Sequence, residues 1–360
     1  MASGTRSSIV VPMLLLLSCT APTDSAGVDD SAVVEESASP DDSADSQDTG
    51  EPSCGVVTFS SASGEVDYSS AFTLGEPVTL SEDGTLSFCA GTWFVLLTVE
   101  ATVEVLGLGS EPARTVLSGG ESGTVLVVEG ADLSVENVTV DRGLAREEGN
   151  AGSGAGLRCL EGGTVRVRDA IFSNHSAYDG AGMYGRDGCS LEVEDTVFRD
   201  NEVTDDGGAL RVQKSSAVLR NVTFEDNEAR DAGAVILQES DVVIEGATFR
   251  GNHVRDTQGG AILHYWGTLS ITDSVFEGND ANGRGGALSL FGDTTVRSTS
   301  FSDNHTDYGG AIYVYTTDGT LTCEDCSFSG NEPDDVATDL GGSYDYDEAS
   351  FVCDESGCTP

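Results

Sequence analysis

The chain is 360 residues long, and its acidic residues outnumber its basic ones 62 to 17, for a formal net charge of -45. Phosphate recognition needs a basic surface, so this balance excludes nucleic acid as a partner. Forty-five glycines against eight prolines, with 38% hydrophobic residues, suit a folded chain with many tight corners better than a Pro-rich disordered one.

Residues 1–18 read as an export signal, with Arg6 as the positive charge and Ile9 to Leu17 as an apolar run too short to span a bilayer. The processing site Leu16-Leu17-Ser18-Cys19 resembles a bacterial lipobox, which implies a lipidated Cys19 as the first mature residue. Thr20 at the next position implies passage to the outer membrane. An ordinary secretory peptide with Cys19 incidental is the alternative. Residues 19–53 contain ten Asp or Glu and no basic residue among Ser, Ala and Thr. Such a segment cannot bury enough apolar surface to fold, and reads as a self-repelling tether between lipid and body.

The body spans residues 54–360 and is repetitive. Phe172, Phe198, Phe224, Phe249, Phe276, Phe301 and Phe328 recur at intervals of 25 to 27 residues. Three residues after each stands Asn (Asn201, Asn227, Asn252, Asn279, Asn304, Asn331), with Asn174 one residue early in the first copy. A second marker, Gly-Gly-Ala followed by Leu or Ile, begins at Gly207, Gly259, Gly285 and Gly309, with looser forms at Gly154, Gly180 and Ala232. Between the markers apolar residues alternate with period two, the signature of strands with one buried face, and no helical period is sustained. Coils of about 26 residues that stack at about 4.8 Å per step would bring each column of like residues into a ladder. Phe would fill an inward corner, stacked Asn amides the next, and the Gly pair a corner where a Cβ would clash. Val125 to Val140 fits the same template, with Leu126 in the Leu210 column and Val140 in the Phe column. The fold class is all-β, a parallel β-helix, with repeats clearest over 154–331 and a Cys-rich C-terminal cap.

The paired markers G-G-A-(I/L/V) and F-x-x-N resemble the repeats of the chlamydial polymorphic outer membrane proteins. That resemblance implies a right-handed, pectin-lyase-like β-helix displayed at the cell surface, with adhesion as the family's usual role. It stops short of the family's translocator β-barrel, so anchoring is expected from the lipid on Cys19.

Eight cysteines besides Cys19 in an exported chain are expected in disulfides, paired as Cys54 with Cys89, Cys159 with Cys189, Cys323 with Cys353 and Cys326 with Cys358. The Cys323-x-x-Cys326 and Cys353-x4-Cys358 spacings alternatively suit zinc. His175, His253 and His305 each follow a corner Asn, in a column shared with Glu202, Glu228, Asp280 and Glu332; such neighbours can share a metal or sense pH, and a solvated polar corner explains them more simply. His264 falls inward. The alternation after the Gly marker turns Ile236, Leu263, Tyr265, Phe291, Tyr313 and Tyr315 outward, a stripe able to stack on sugar rings or to dock a partner unless a loop covers it. Asp205-Asp206 beside Arg211 comes nearest to the paired carboxylates of a polysaccharide lyase or hydrolase, but Asp179, Asp231, Asp256 and Asp307 also precede Gly markers, as corner residues would. The reading is a lipid-anchored outer-membrane surface protein that binds or adheres to glycan or a neighbouring cell, with no catalytic set, metal or cofactor. A polysaccharide-active enzyme and a structural envelope protein are the alternatives.

Overall fold

The computed structural model describes residues 55–359 other than 148 and 347. The export signal, Cys19, the tether and Cys54 lie outside the described residues. Among the described residues no helix is long and apolar enough to cross a membrane.

Short alternating segments broken by Gly, Asp and Asn give coils of about 26 residues with three main strands, and in six coils a fourth strand of two residues, such as Glu228–Ala229, which stack as a separate sheet. In one coil Leu210–Gln213 lies on a first face, Ser216–Arg220 on a second and Thr223–Glu225 on a third. In the next coil Val235–Glu245 covers the first two faces and Thr248–Arg250 the third. The stacking is parallel. Leu210 pairs with Val235, Val235 with Ile262, Ile262 with Leu288, Leu288 with Ile312, and Ile312 with Val336. Upstream, Leu126 pairs with Leu157 and Val140 with Phe172, so these coils join the same columns.

Phe172 to Phe328 form a contiguous internal row, with successive ring centroids 4.6 to 5.2 Å apart and planes within 18°. Burial contributes roughly 1.5–3 kcal/mol per ring, to which stacking adds about 0.5–1.5 kcal/mol. Beside it the Asn side chains form a second ladder. Asn227 Nδ2 donates to Asn252 Oδ1 at 2.9 Å and to the Phe198 carbonyl at 3.0 Å, and the same pattern links Asn201 to Asn331. The left-handed backbone at this corner falls on the residue before Asn, such as Asp200 (φ 55°) and Asp226 (φ 52°), and not on Asn itself. The early Asn174 takes that left-handed position at φ 56°. His175 therefore occupies the Asn column, donating from Nε2 to the Val140 carbonyl at 3.0 Å and accepting from Gly143 N–H at Nδ1 at 2.9 Å. This corrects its expected place beside Glu202, which Ser176 takes instead. At the Gly corner, Gly259 has φ +72°, and a Cβ on Gly260 would lie 1.9 Å from the Gly286 carbonyl oxygen.

Parallel stacking leaves an unpaired edge at each end of a solenoid, and both ends are covered by antiparallel strands. Val57–Ser61 runs against Gly84–Phe88, and Glu348–Asp354 against Leu321–Ser329. The reversal at the second end changes the expected cysteine pairing. Cys353 lies opposite Leu321 and not above Cys323, so the expected bonds of Cys323 to Cys353 and Cys326 to Cys358 are not formed. Cys323 bonds Cys326 across a bulge, and Cys353 bonds Cys358 across a hairpin. With their sulfurs joined in this way, these four residues offer no thiolates to zinc. Cys159 is bonded to Cys189. Cys89 is also disulfide-bonded.

Candidate functional site

Along each first-face strand after the Gly marker, alternate residues enter the main core. Leu210, Val212, Ile262, Leu288, Leu290, Ile312 and Val314 are at most 1% exposed. The residues between them face away from that core in two rows. The row nearer the marker runs Tyr184, Arg211, Ile236, Leu263, Ser289, Tyr313 and Ala337. The second row holds Gln213, Gln238 and Tyr265, continued by Phe291 and Tyr315.

The expectation of six exposed contact residues is corrected for the first row, since Ile236, Leu263 and Tyr313 are only 1%, 0% and 7% exposed. The segment entering each Gly marker folds over them. A Cβ on Gly207 would lie 2.7 Å from Ile236 Cγ2, and one on Gly259 3.1 Å from Leu263 Cβ. Ile236 and Leu263 thus form a satellite core with Ala232, against which Tyr265 and Phe291 pack. The second row stays half-buried. There Tyr265 and Phe291 have ring centroids 4.6 Å apart, and Phe291 and Tyr315 3.6 Å apart.

The covering segment borders this row on one side, and the two together are the groove of the first face. The residue immediately before the first Gly of each marker forms a column, in which Asp206 bridges Asp231 and Arg284 bridges both Gln258 and Tyr308. Gln258 Nε2 donates to Tyr265 Oη at 3.2 Å, and its Oε1 accepts from Tyr315 Oη at 2.8 Å. Arg284 lies 5.3 Å from the Tyr313 ring centroid and donates to Tyr315 Oη at 3.2 Å. Gln258, Arg284 and Tyr308 were not singled out from sequence, although their fixed place before the Gly marker was a signal available to find them. The exposed Trp266, next to Tyr265, was also missed.

On earlier coils, the carboxylates of Asp179, Asp205 and Asp206 lie within 4.8 Å of one another. Arg211 reaches Asp179 at 2.8 Å and Asp206 at 3.5 Å, while Arg230 contacts Asp205 and Asp206. These guanidinium groups already supply countercharge to the cluster. Burial, and then the neighbouring Asp205 charge, push Asp206 up to about 7, and burial raises Asp179. Elsewhere, His253 Nδ1 stands 2.9 Å from Asp280 Oδ2, and His305 3.8 Å from Glu332, both on the solvated corner. His264 is fully buried, with Nδ1 3.1 Å from Thr294 Oγ1, and burial pushes it down to about 4.

Residues 123–286 match the family model of the right handed beta helix region. The described residues form a right-handed parallel β-helix. Within it, residues 298–315 match the repeat of the Chlamydia polymorphic membrane protein, a segment that carries Phe301, Asn304 and Gly309-Gly310-Ala311-Ile312. The β-helix also aligns with the crystal structure of PfbA, a surface adhesin of Streptococcus pneumoniae, at 9% identity over 79% of this chain and 88% of that chain, with a TM-score of 0.29. No curated relative matches the chain.

Proposed function

We propose that the protein is a lipid-anchored, adhesin-like β-helix of the outer cell surface that binds glycan, on its own or on a neighbouring cell, along the first-face groove. The repeat matched at 298–315, which takes its name from a membrane protein, supports the surface address. The observation that carries the binding reading is the half-buried row Tyr265, Phe291 and Tyr315, bordered by Gln258. Aromatic faces accept the C–H face of a pyranose, and a neighbouring amide can both donate to and accept from its hydroxyls. No catalytic role is proposed for Asp179, Asp205 and Asp206, whose carboxylates are engaged by Arg211 and Arg230.

A glycan array probed with the wild-type protein and with Tyr265→Ala and Phe291→Ala tests the reading. Binding should fall about tenfold or more in each variant. Undiminished binding would remove the groove, and no binding by the wild type would leave a structural envelope protein. Released oligosaccharide would instead favour an enzyme. The address is tested on intact cells, where the body should be cleaved by added protease and Cys19→Ser should release it from the membrane fraction.

A further inference from the structure

A cleft of about 490 Å³ is lined by Arg284, Asp307, Tyr308, Tyr313, Asp334 and Asp339 among others, and its Arg284 donates to Tyr315, the last ring of the aromatic row. That volume falls in the range of small-ligand sites, about 300–1,000 Å³. The cleft stands beside the last parallel rung of the first face, Val336–Thr338, against which Ser343–Tyr344 pairs antiparallel. A ligand lying along the aromatic row would therefore end here.

Few polar side chains of the cleft are without a partner among the described residues. Asp334 accepts from Gly309 N–H at 3.0 Å and from Ser343 Oγ, and Asp339 accepts from the Thr316 and Thr317 hydroxyls. Arg284 belongs to no ion pair among the described residues and hydrogen-bonds Tyr315 and Tyr313, leaving others of its five donors for a ligand. Asp307 is exposed and is likewise unpaired, although it lines the same cleft as Arg284. Tyr308 is 60% exposed. One free donor group, one free acceptor group and an open aromatic face are thus gathered in one cleft. Two vicinal hydroxyls, each able to donate and to accept, would satisfy Arg284 and Asp307 together, whereas a carboxylate would satisfy only the arginine. The three aspartates facing one arginine, in a chain of net charge -45, also oppose the approach of an anionic sugar.

We propose that this cleft is the terminal subsite for an uncharged pyranose, which stacks on Tyr308 while Arg284 and Asp307 bind a vicinal diol. The proposal rests on the groove reading above and adds the end point and the charge class of the glycan. Its test is calorimetric titration of the full mature chain with hexasaccharides of glucose, mannose and galactose, and with an oligogalacturonate of equal length, at low and high salt. Wild type, Tyr308→Ala, Asp307→Asn and, as a control for the aromatic row, Tyr265→Ala are compared. At least one neutral hexasaccharide should bind at least about tenfold more tightly than the uronate at low salt, with the gap narrowing as salt screens the repulsion. Tyr308→Ala should weaken neutral binding by about tenfold and Asp307→Asn by about fivefold, with unchanged melting temperatures. Loss in Tyr265→Ala with none in Tyr308→Ala or Asp307→Asn would overturn the subsite and leave the groove standing. Preference for the uronate would overturn the charge class, and no saccharide binding by wild type would remove both readings.

Discussion

At the Phe–Asn corner each coil from Phe198 to Phe328 repeats its neighbour, whereas on the outer side of the first face successive coils present Tyr184, Arg211, Ile236, Leu263, Ser289 and Tyr313. The corner repeats because each residue's partners are its own kind. An Asn amide has the right donor and acceptor for the Asn above and below, and a Phe ring the right thickness for the rungs. The groove needs no such identity, since its side chains meet a covering segment and solvent. Uniformity at the corner therefore serves folding, and variation along the groove is where recognition can be written.

The sharpest test of that contrast is Asn252→Ala against Gln238→Ala. Asn252 accepts from the Asn227 backbone and side-chain amides and donates to Asn279 Oδ1 and the Phe224 carbonyl, all buried. Truncation strands several of these groups, and stability should fall by about 4 kcal/mol. Gln238 accepts from Arg211 and Gln213 at a half-buried rim, and its loss should cost about 1 kcal/mol or less. Urea midpoints measure both, and equal losses would mean that the groove is as constrained as the corner.

The same contrast explains what could be read from sequence. Columns that repeat, Phe, Asn and Gly-Gly-Ala, gave the fold, the coil length and the inward residues, because stacking forces identity onto the chain at a fixed period. Period two also placed Ile236 and Leu263 correctly on the side away from the main core. Their exposure could not be read, because it depends on how the segment ending at Gly207 or Gly259 folds back, and alternation along one strand carries no information about a separate segment. The C-terminal cysteines failed for a related reason. A bond between Cys323 and Cys353 requires their strands to stack in parallel, and the last strand turns antiparallel to close the edge.

His175 tests the corner where it departs from its rule. Burial holds this ring down at about 4, against an ordinary value of 6.5. The unfolded chain takes up the proton first, so this contribution to stability is complete above about pH 6.5 and is lost as pH falls toward 4. His175→Asn restores the repeating residue, which can bond the Val140 carbonyl and Asn201 as its neighbours do. It should change stability by less than about 1 kcal/mol at pH 7 and raise it by about 3 kcal/mol relative to wild type near pH 4. A constant difference across that window would show that the imidazole does not titrate in place.

Asp206 tests the acidic cluster, with the opposite sign. Its folded value of about 7 lies above the ordinary 3.8, because burial and the charge of Asp205 outweigh Arg211. The folded state holds a proton that the unfolded chain has released, so stability is lost as pH rises from about 4 through 7. Asp206→Asn cannot ionise and escapes that loss, although an amide is a weaker acceptor for Arg211 and Arg230. The variant should match wild type near pH 4 and exceed it by about 2 kcal/mol at pH 8, less than the full shift because part of the ion-pair energy is given up. Urea midpoints across that range measure the gap. A gap that fails to widen with pH would mean that the carboxylate is ionised and fully paired, and that the acidic cluster is as settled as the Phe–Asn corner.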